Sequence, residues 1–306
     1  MPDMKRDCTA CLCCGNANLT RQTTVVSGFL AERAWHGLPE KTQIIHCAQC
    51  GFQFFERGLS DKETANLYRG YRDKDYFLAR NRWEAFYTRA QHQLVGDWSR
   101  STLRSSNLVR LLSESGLPTR FAYALDHGGA EGHLLHAISA DQKIVFDVSG
   151  VGTIDGVCGI SDATKIPLGC DLLTSCQVLE HVSDPAKYLT ELTALCAPGA
   201  YIYIEVPNEQ WSSYVWEGRL RDAWLETLLR HHWWLKLMDV ISTICRVKFK
   251  FLPPMGFIPM REHLNYFTLQ SLTKLLGRLG FEVVRSGHNV DGQLFAIIQL
   301  NHSGTP

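Results

Sequence analysis

Residues 121–138, FAYALDHGGAEGHLLHAI, decide how the rest of the chain is read. A short apolar run ends in Asp126, Gly128, Gly129 and Gly132 crowd into a turn, and an apolar segment that reads as the start of a helix follows. Glycines let the backbone approach a ligand closely, and a helix beginning there directs its unpaired N–H groups at that ligand. Strand, glycine turn and helix together are the pattern of a nucleotide-binding loop. A second apolar run, QKIVFDV at 142–148, carries Asp147, twenty-one residues after Asp126. An acid about 20 residues on is where dinucleotide-type folds hold a ribose diol.

Outward from this point the alternation continues. DGVCGISDATKIP (155–167) is strand-like up to Asp162, an apolar strand is expected at 171–176, then a helix, then a strand at 200–206. SLTKLLGRLGFEVVRSG (271–287) reads as helix then strand, and QLFAIIQL (293–300) as a last strand. Strands alternating with helices imply an α/β fold, a mainly parallel sheet with helices on both faces.

Upstream, residues 59–116 read as helical, opening on Ser60 three residues before Glu63, the spacing of a capping box. Tyr68, Tyr71 and Tyr76 on this stretch are candidates to line a pocket. Before it, Cys11-x-x-Cys14-Gly15 and Cys47-x-x-Cys50-Gly51 repeat one pattern. Four thiolates from two such knuckles make a closed tetrahedral site of the kind structural zinc takes. Cys8, Cys13 and His46 leave the register open, and the following glycine favours Cys11 with Cys14. A bound zinc would supply on the order of 10 kcal/mol of local folding energy.

The 306 residues hold 31 basic and 31 acidic side chains. Zero net charge offers a phosphate backbone no overall attraction, so nucleic acid is a poor first partner. The N-terminal MPDMKRDCTACLCC has charges where a signal peptide has an apolar core, and no run reaches the roughly 18 apolar residues of a spanning helix. A cytoplasmic location is expected.

From residue 120 to 300 the chain resembles a class I S-adenosylmethionine-dependent methyltransferase. LDHGGAEG is similar to that family's first motif, D-x-G-x-G-x-G, with Asp126, Gly128 and Gly132 in place and Ala130 where the middle glycine stands; the extra Gly129 softens that change. QVLEHVSDP (177–185) resembles the segment after the fourth strand and PGAYIYIEVPN (198–208) the fifth-strand motif. The resemblance implies a Rossmann-like seven-stranded sheet, Asp147 on the ribose hydroxyls, and Asp162 with Ala163 at the adenine. The knuckles, the tyrosine-rich helices and EHLNYFTLQSLTKLLGRLGFEVV (262–284) resemble a subgroup related to sugar C-methyltransferases and polysaccharide biosynthesis.

Methyl transfer needs an aligned nucleophile, and a hydroxyl or carbon acid also needs a base. His181, directly after the presumed fourth strand, is the first candidate and His263 the second, with Glu180 an orienting carboxylate. Between them lies a Trp-rich stretch, 208–260, expected to be a helical insert that acts as a lid, a dimer contact or a membrane-surface face. The expected organisation is a zinc-knuckle module at 1–58, a helical linker at 59–118 and a methyltransferase domain at 119–303. The expected substrate is a small molecule, a sugar nucleotide or glycan precursor. A zinc-containing RNA methyltransferase and a non-catalytic interaction protein of the same fold stay open as alternatives.

Overall fold

The computed structural model describes residues 6–209, 218–249 and 251–301. Trp211 and Trp216 of the Trp-rich stretch lie outside the described residues, as do the last residues of the expected methyltransferase domain. The chain divides into two compact units. One holds Met1–Cys11, Asn16–Gln93 and Glu209–Tyr266; the other holds Leu12–Gly15, Leu94–Asn208 and Phe267–Pro306.

In chain order the elements begin with β1 (Leu19–Val25), α1 (Gly28–Trp35), β2 (Lys41–Cys47), β3 (Gln53–Phe55), α2 (Asp61–Tyr68), α3 (Lys74–Trp83), α4 (Arg89–Ser99) and α5 (Thr102–Glu114). There follow β4 (Phe121–His127), β5 (Ala140–Phe146), β6 (Cys158–Ile160), β7 (Cys170–Cys176), α6 (Pro185–Thr193) and β8 (Cys196–Val206). The remainder is α7 (Arg219–Arg230), α8 (His232–Phe249), β9 (Asn265–Tyr266), α9 (Leu269–Arg278), β10 (Glu282–His288) and β11 (Leu294–Gln299).

In the first unit β1 and β2 pair antiparallel around α1, and β3 and β9 extend the sheet in the order β1-β2-β3-β9. Side chains start the helices as their types predict. Ser27 accepts from the Leu30 N–H, and Ser60 and Glu63 cap one another reciprocally, the box read from their spacing. Phe29, Leu30, Phe55, Tyr76, Ile258 and Met260 share one core. Burying a Leu or Phe of this kind contributes about 1.5–3 kcal/mol. Tyr68, Tyr71 and Tyr76, candidates either for packing or for a pocket, belong to this packing. Tyr76 is fully buried, and its ring meets those of Phe29 and Tyr71 edge-on at 5.2 and 5.3 Å. Tyr68 ends α2, Tyr71 lies in the turn that follows and Tyr76 is on α3, and their rings meet edge-on, where aromatic side chains gain by contact with one another.

In the second unit the described strands form a seven-stranded sheet, β10-β11-β8-β7-β4-β5-β6. The five strands from β4 to β8 run parallel; β11 is antiparallel to its neighbours β8 and β10, so β10 runs with the five and the sheet is mixed. Helices cover both faces. Leu108 and Leu112 of α5 pack with Ala124, Leu172 and Tyr203. Ser175 of β7, three residues past Leu172, faces the other way and bonds Tyr188 of α6 at 2.8 Å.

One expectation fails here. No helix follows the glycine turn; His133–Leu135 form a single 3-10 turn and the chain enters β5 at Ala140. Only 133–139 separates Gly132 from β5, too short a stretch for a helix that crosses back over the sheet to a parallel strand. Among the described residues no helix is long and apolar enough to span a membrane.

Candidate cofactor crevice and catalytic residues

The strand order reverses at β4, which has β5 on one side and β7 on the other. Ligands of open α/β sheets bind at the carboxyl ends of strands at such a switch point. Asp126 and the glycine turn stand there, at the end of β4. Gly128 has φ +83°, and a Cβ on it would lie 2.4 Å from Val178 Cγ2. A Cβ on Gly129 would lie 2.0 Å from Asp126 Oδ2. Gly132 combines its positive φ with a would-be Cβ 2.9 Å from Val157 Cγ1. Each glycine is thus demanded by its own surroundings.

Ala130 stands where the family motif has a glycine and still adopts φ +49°. A left-handed backbone at an alanine costs about 1–2 kcal/mol of strain. Gly129 does not absorb that strain, since its requirement is close approach to Asp126. The Ala130 N–H donates to Asp147 Oδ2 at 2.9 Å, and the Ser149 N–H donates to Asp147 Oδ1 at 2.9 Å. The carboxylate at the end of β5 is thereby oriented from both sides. It borders a cavity of about 210 Å³ whose other walls are Ala130, residues 150–153 and residues 159–161.

These residues fit the adenosyl end of S-adenosylmethionine. An oriented carboxylate keeps lone pairs for a diol, and backbone rich in glycine (Gly150, Gly152, Gly159) lets a flat base approach. Asp162 lies just past β6, exposed, its Oδ1 accepting from the Thr164 N–H at 3.1 Å and Ala163 beginning the 3-10 turn it caps. Asp126 is 1% exposed, and its Oδ1 accepts from Thr174 Oγ1 at 2.7 Å, so it supports the turn from beneath. Burial pushes its carboxyl up to about 6, against the opposing pull of Thr174 and Arg104. His127, its neighbour, is pushed by burial down to about 4.

His181 lies in the turn after β7, at the same carboxyl edge of the sheet. Its Nε2 is 3.7 Å from Oε1 of the buried Glu180. The separation exceeds a hydrogen bond, yet a carboxylate that close stabilises the imidazolium formed when the ring takes a proton. In the same unit Glu205 stands on β8, a residue that sequence reasoning passed over inside its motif. Glu205 accepts from Arg104 at 2.7 Å, Asn289 at 2.8 Å, Tyr203 at 3.0 Å and Gln177 at 3.2 Å. Its partners lie up to 101 residues away, so no local signal points to it.

His263 belongs to the first unit, where its Nδ1 is 3.0 Å from Glu209 Oε2. Burial raises the Glu209 carboxyl, but the charge and hydrogen bond of His263, with Arg246 and Arg261 behind it, bring it below the usual carboxylate range. A carboxylate held this way fixes the ring and stabilises its charged form. Fifty-four residues separate the pair in sequence, and Glu209 carried no mark of its own.

The Sγ atoms of Cys11, Cys14, Cys47 and Cys50 all lie within 4.8 Å of one another, with Cys11 and Cys50 3.6 Å apart. Tetrahedral zinc–sulfur bonds of about 2.3 Å put the sulfurs about 3.8 Å apart, so the cluster fits that metal. The two knuckles share one backbone device. The Cys11 N–H donates to the Asn16 carbonyl and the Cys47 N–H to the Phe52 carbonyl, each at 2.9 Å, while Gly15 and Gly51 take φ +73° and +72°. Cys8, Cys13 and His46 stand outside this group of four.

Residues 91–286 match a family model described as a methyltransferase domain. No curated protein sequence matches the chain. Among solved structures it is similar to an S-adenosylmethionine-dependent methyltransferase from Aquifex aeolicus, at 16% identity over 62% of this chain and 88% of that one, TM-score 0.38. Magnesium protoporphyrin IX methyltransferase from Synechocystis PCC 6803, with bound S-adenosylhomocysteine, is 13% identical over 65% and 83%, TM-score 0.40. A Haloferax volcanii complex of the Trm112 activator with a methyltransferase gives 13% over 68% and 92%, TM-score 0.41. Likenesses this low add nothing to the family match, which spans well over half the chain. By that match, and with a seven-stranded sheet whose switch point carries the glycine turn, the chain belongs to the methyltransferase-domain family and is an S-adenosylmethionine-dependent methyltransferase.

Proposed function

We propose that this enzyme methylates a small sugar-linked acceptor, a sugar nucleotide or glycan precursor, and that Asp147 and the Ala130 turn hold its cofactor. The observation that carries the cofactor half is the Asp147 carboxylate, oriented by the Ala130 and Ser149 N–H groups at the edge of an open cavity. Asp162 and Ala163 meet the adenine edge. The acceptor half rests on the paired knuckles and the EHLNYF segment, which resemble the sugar-methylating subgroup, and on a net charge of zero. Cys11, Cys14, Cys47 and Cys50 hold a structural zinc. A cytoplasmic, reducing location would keep those four sulfurs available to the metal.

S-adenosylmethionine supplies an activated methyl group on a sulfonium. Asp147 fixes the ribose hydroxyls, and with them the direction of the chain that carries the sulfur. His181 accepts the acceptor's proton on its imidazole, and the Glu180 carboxylate beside Nε2 stabilises the resulting imidazolium. His263, oriented by Glu209, is the alternative candidate for that base.

Calorimetric titration with S-adenosylhomocysteine, run beside Asp147→Ala, tests the cofactor half. Micromolar binding that the variant loses supports it; equal binding by both proteins overturns the assignment of Asp147. Transfer of labelled methyl groups to sugar nucleotides then tests the acceptor. Label appearing in RNA instead, with a steep salt dependence, would reject the sugar reading. A His181→Ala variant with unchanged turnover and an unchanged pH profile would remove that residue as the base.

A further inference from the structure

Helix α8 is turned inside out. Among its described side chains, Leu235, Asp239 and Ser242 are buried, two of them polar, and Asp239 is ion-paired with Arg261 at 2.6 Å. Its exposed side chains are Trp233, Trp234, Leu237, Ile241, Ile244, Val247, Phe249 and one charged residue, Lys248. At 100° per residue, all but Phe249 fall within an arc of roughly 140° that runs the length of the 18-residue helix, about 27 Å. Trp233 and Trp234 stack at one end, ring centroids 4.1 Å apart. Phe251 and Met255 carry the apolar surface past the other end.

A soluble helix puts polar residues outward, and a contiguous apolar stripe of this kind marks a surface that something covers. The charges say what. From 230 to 250 the sequence has Arg230, Lys236, Arg246, Lys248 and Lys250 against the single acid Asp239, which is buried and paired. The chain as a whole is neutral. An apolar stripe that starts on two tryptophans, carries Lys248 within it and Lys236 at its edge, and is too polar to span a bilayer is the composition of a helix that lies in a membrane interface. A second copy of α8 on the same face would set Lys236 and Lys248 against cations, with no exposed acid among the described residues of the helix to pair with them. We propose that α8 docks on the surface of an anionic phospholipid bilayer, lying along it through Trp233, Leu237, Ile241 and Ile244.

Co-sedimentation of the full chain with vesicles tests this. Equimolar phosphatidylglycerol and phosphatidylcholine should retain the protein, pure phosphatidylcholine should retain about tenfold less, and high salt should narrow that difference. The double variant Leu237→Glu, Ile241→Glu should lower partition into the anionic vesicles at least about tenfold while its circular dichroism spectrum and cooperative thermal unfolding are retained, which shows that it folds. Equal partition into both vesicle types, or full retention by the variant, overturns the proposal. So does a dimer in solution that the same variant splits, with no vesicle binding, an outcome that assigns the stripe to a second copy of the chain.

Discussion

Asp126 and His127 are consecutive at the end of β4, point to opposite faces of the sheet, and are displaced by burial in opposite directions, the acid up to about 6 and the imidazole down to about 4. Their ordinary values are 3.8 and 6.5. In the fold the order of the two is inverted, and both are neutral together near pH 5.

Their effects on stability oppose one another. Asp126 binds its proton more tightly folded than unfolded, so its contribution is full below pH 3.8 and is lost as pH rises to about 6. His127 binds its proton less tightly folded, so its contribution is present above pH 6.5 and is lost as pH falls to about 4. Each is on the order of 3 kcal/mol, and in the native protein they nearly cancel. Asp126→Asn should therefore lose stability steeply as pH falls from 6.5 to 4, and His127→Gln should instead lose it as pH rises over the same interval. Urea denaturation at several pH values reads both, and parallel curves for the two variants would refute the opposition.

Ala130→Gly should stabilise the protein. The left-handed backbone at φ +49° strains an alanine and not a glycine, and the gain, less the entropy of the freer unfolded chain, is about 0.5–1 kcal/mol. Differential scanning calorimetry should show a higher Tm, with S-adenosylhomocysteine affinity retained. A lower Tm would mean that the turn is relaxed as it stands.

Protein purified without chelator should carry about one equivalent of zinc per chain, and Cys50→Ser should lower that below about half an equivalent. Prolonged chelation should cost much of the folding energy that the metal supplies, on the order of 10 kcal/mol locally. Elemental analysis together with a thermal scan checks this. A metal-free protein with an unchanged melting curve would leave the four thiols as packing.

Glu84 is 1% exposed and bridges Arg80 at 3.0 Å and Arg261 at 3.1 Å. Removing one partner from a buried ion network leaves uncompensated charge, so Glu84→Ala should cost about 3–5 kcal/mol. Arg110→Ala, which breaks an exposed pair with Glu114 at 3.8 Å, should cost less than about 1 kcal/mol. Equal losses in a denaturant titration would contradict the burial argument.

Local chemistry was legible in the sequence, and distant pairing was not. The Ser60–Glu63 box, the two cysteine knuckles and the strand ends at Asp126 and Asp147 each depend on residues within a few positions, and all are where the spacing put them. The helix after Gly132 was misread because an apolar LLHAI suits either a helix or a packed 3-10 turn, and only the length available before β5 decides between them. The break between α3 and α4 is similar. Glu84 looks like a helical surface residue until Arg261, far along the chain, takes it into a buried network. Glu205 and Glu209 gain their roles from partners that only the fold supplies. Helix α8 defeats simple amphipathic reading, because its polar Asp239 and Ser242 are the inward residues.

In the role proposed for it, Asp147 grips a part of the cofactor that the reaction leaves untouched. The ribose diol is the same before and after the methyl group departs, so an anchor built on that diol holds the spent cofactor as firmly as the fresh one. Nothing in the Ala130–Asp147–Ser149 arrangement can sense that turnover has occurred. The by-product and the fresh donor then compete for one anchor, and S-adenosylhomocysteine is expected to inhibit by occupying it.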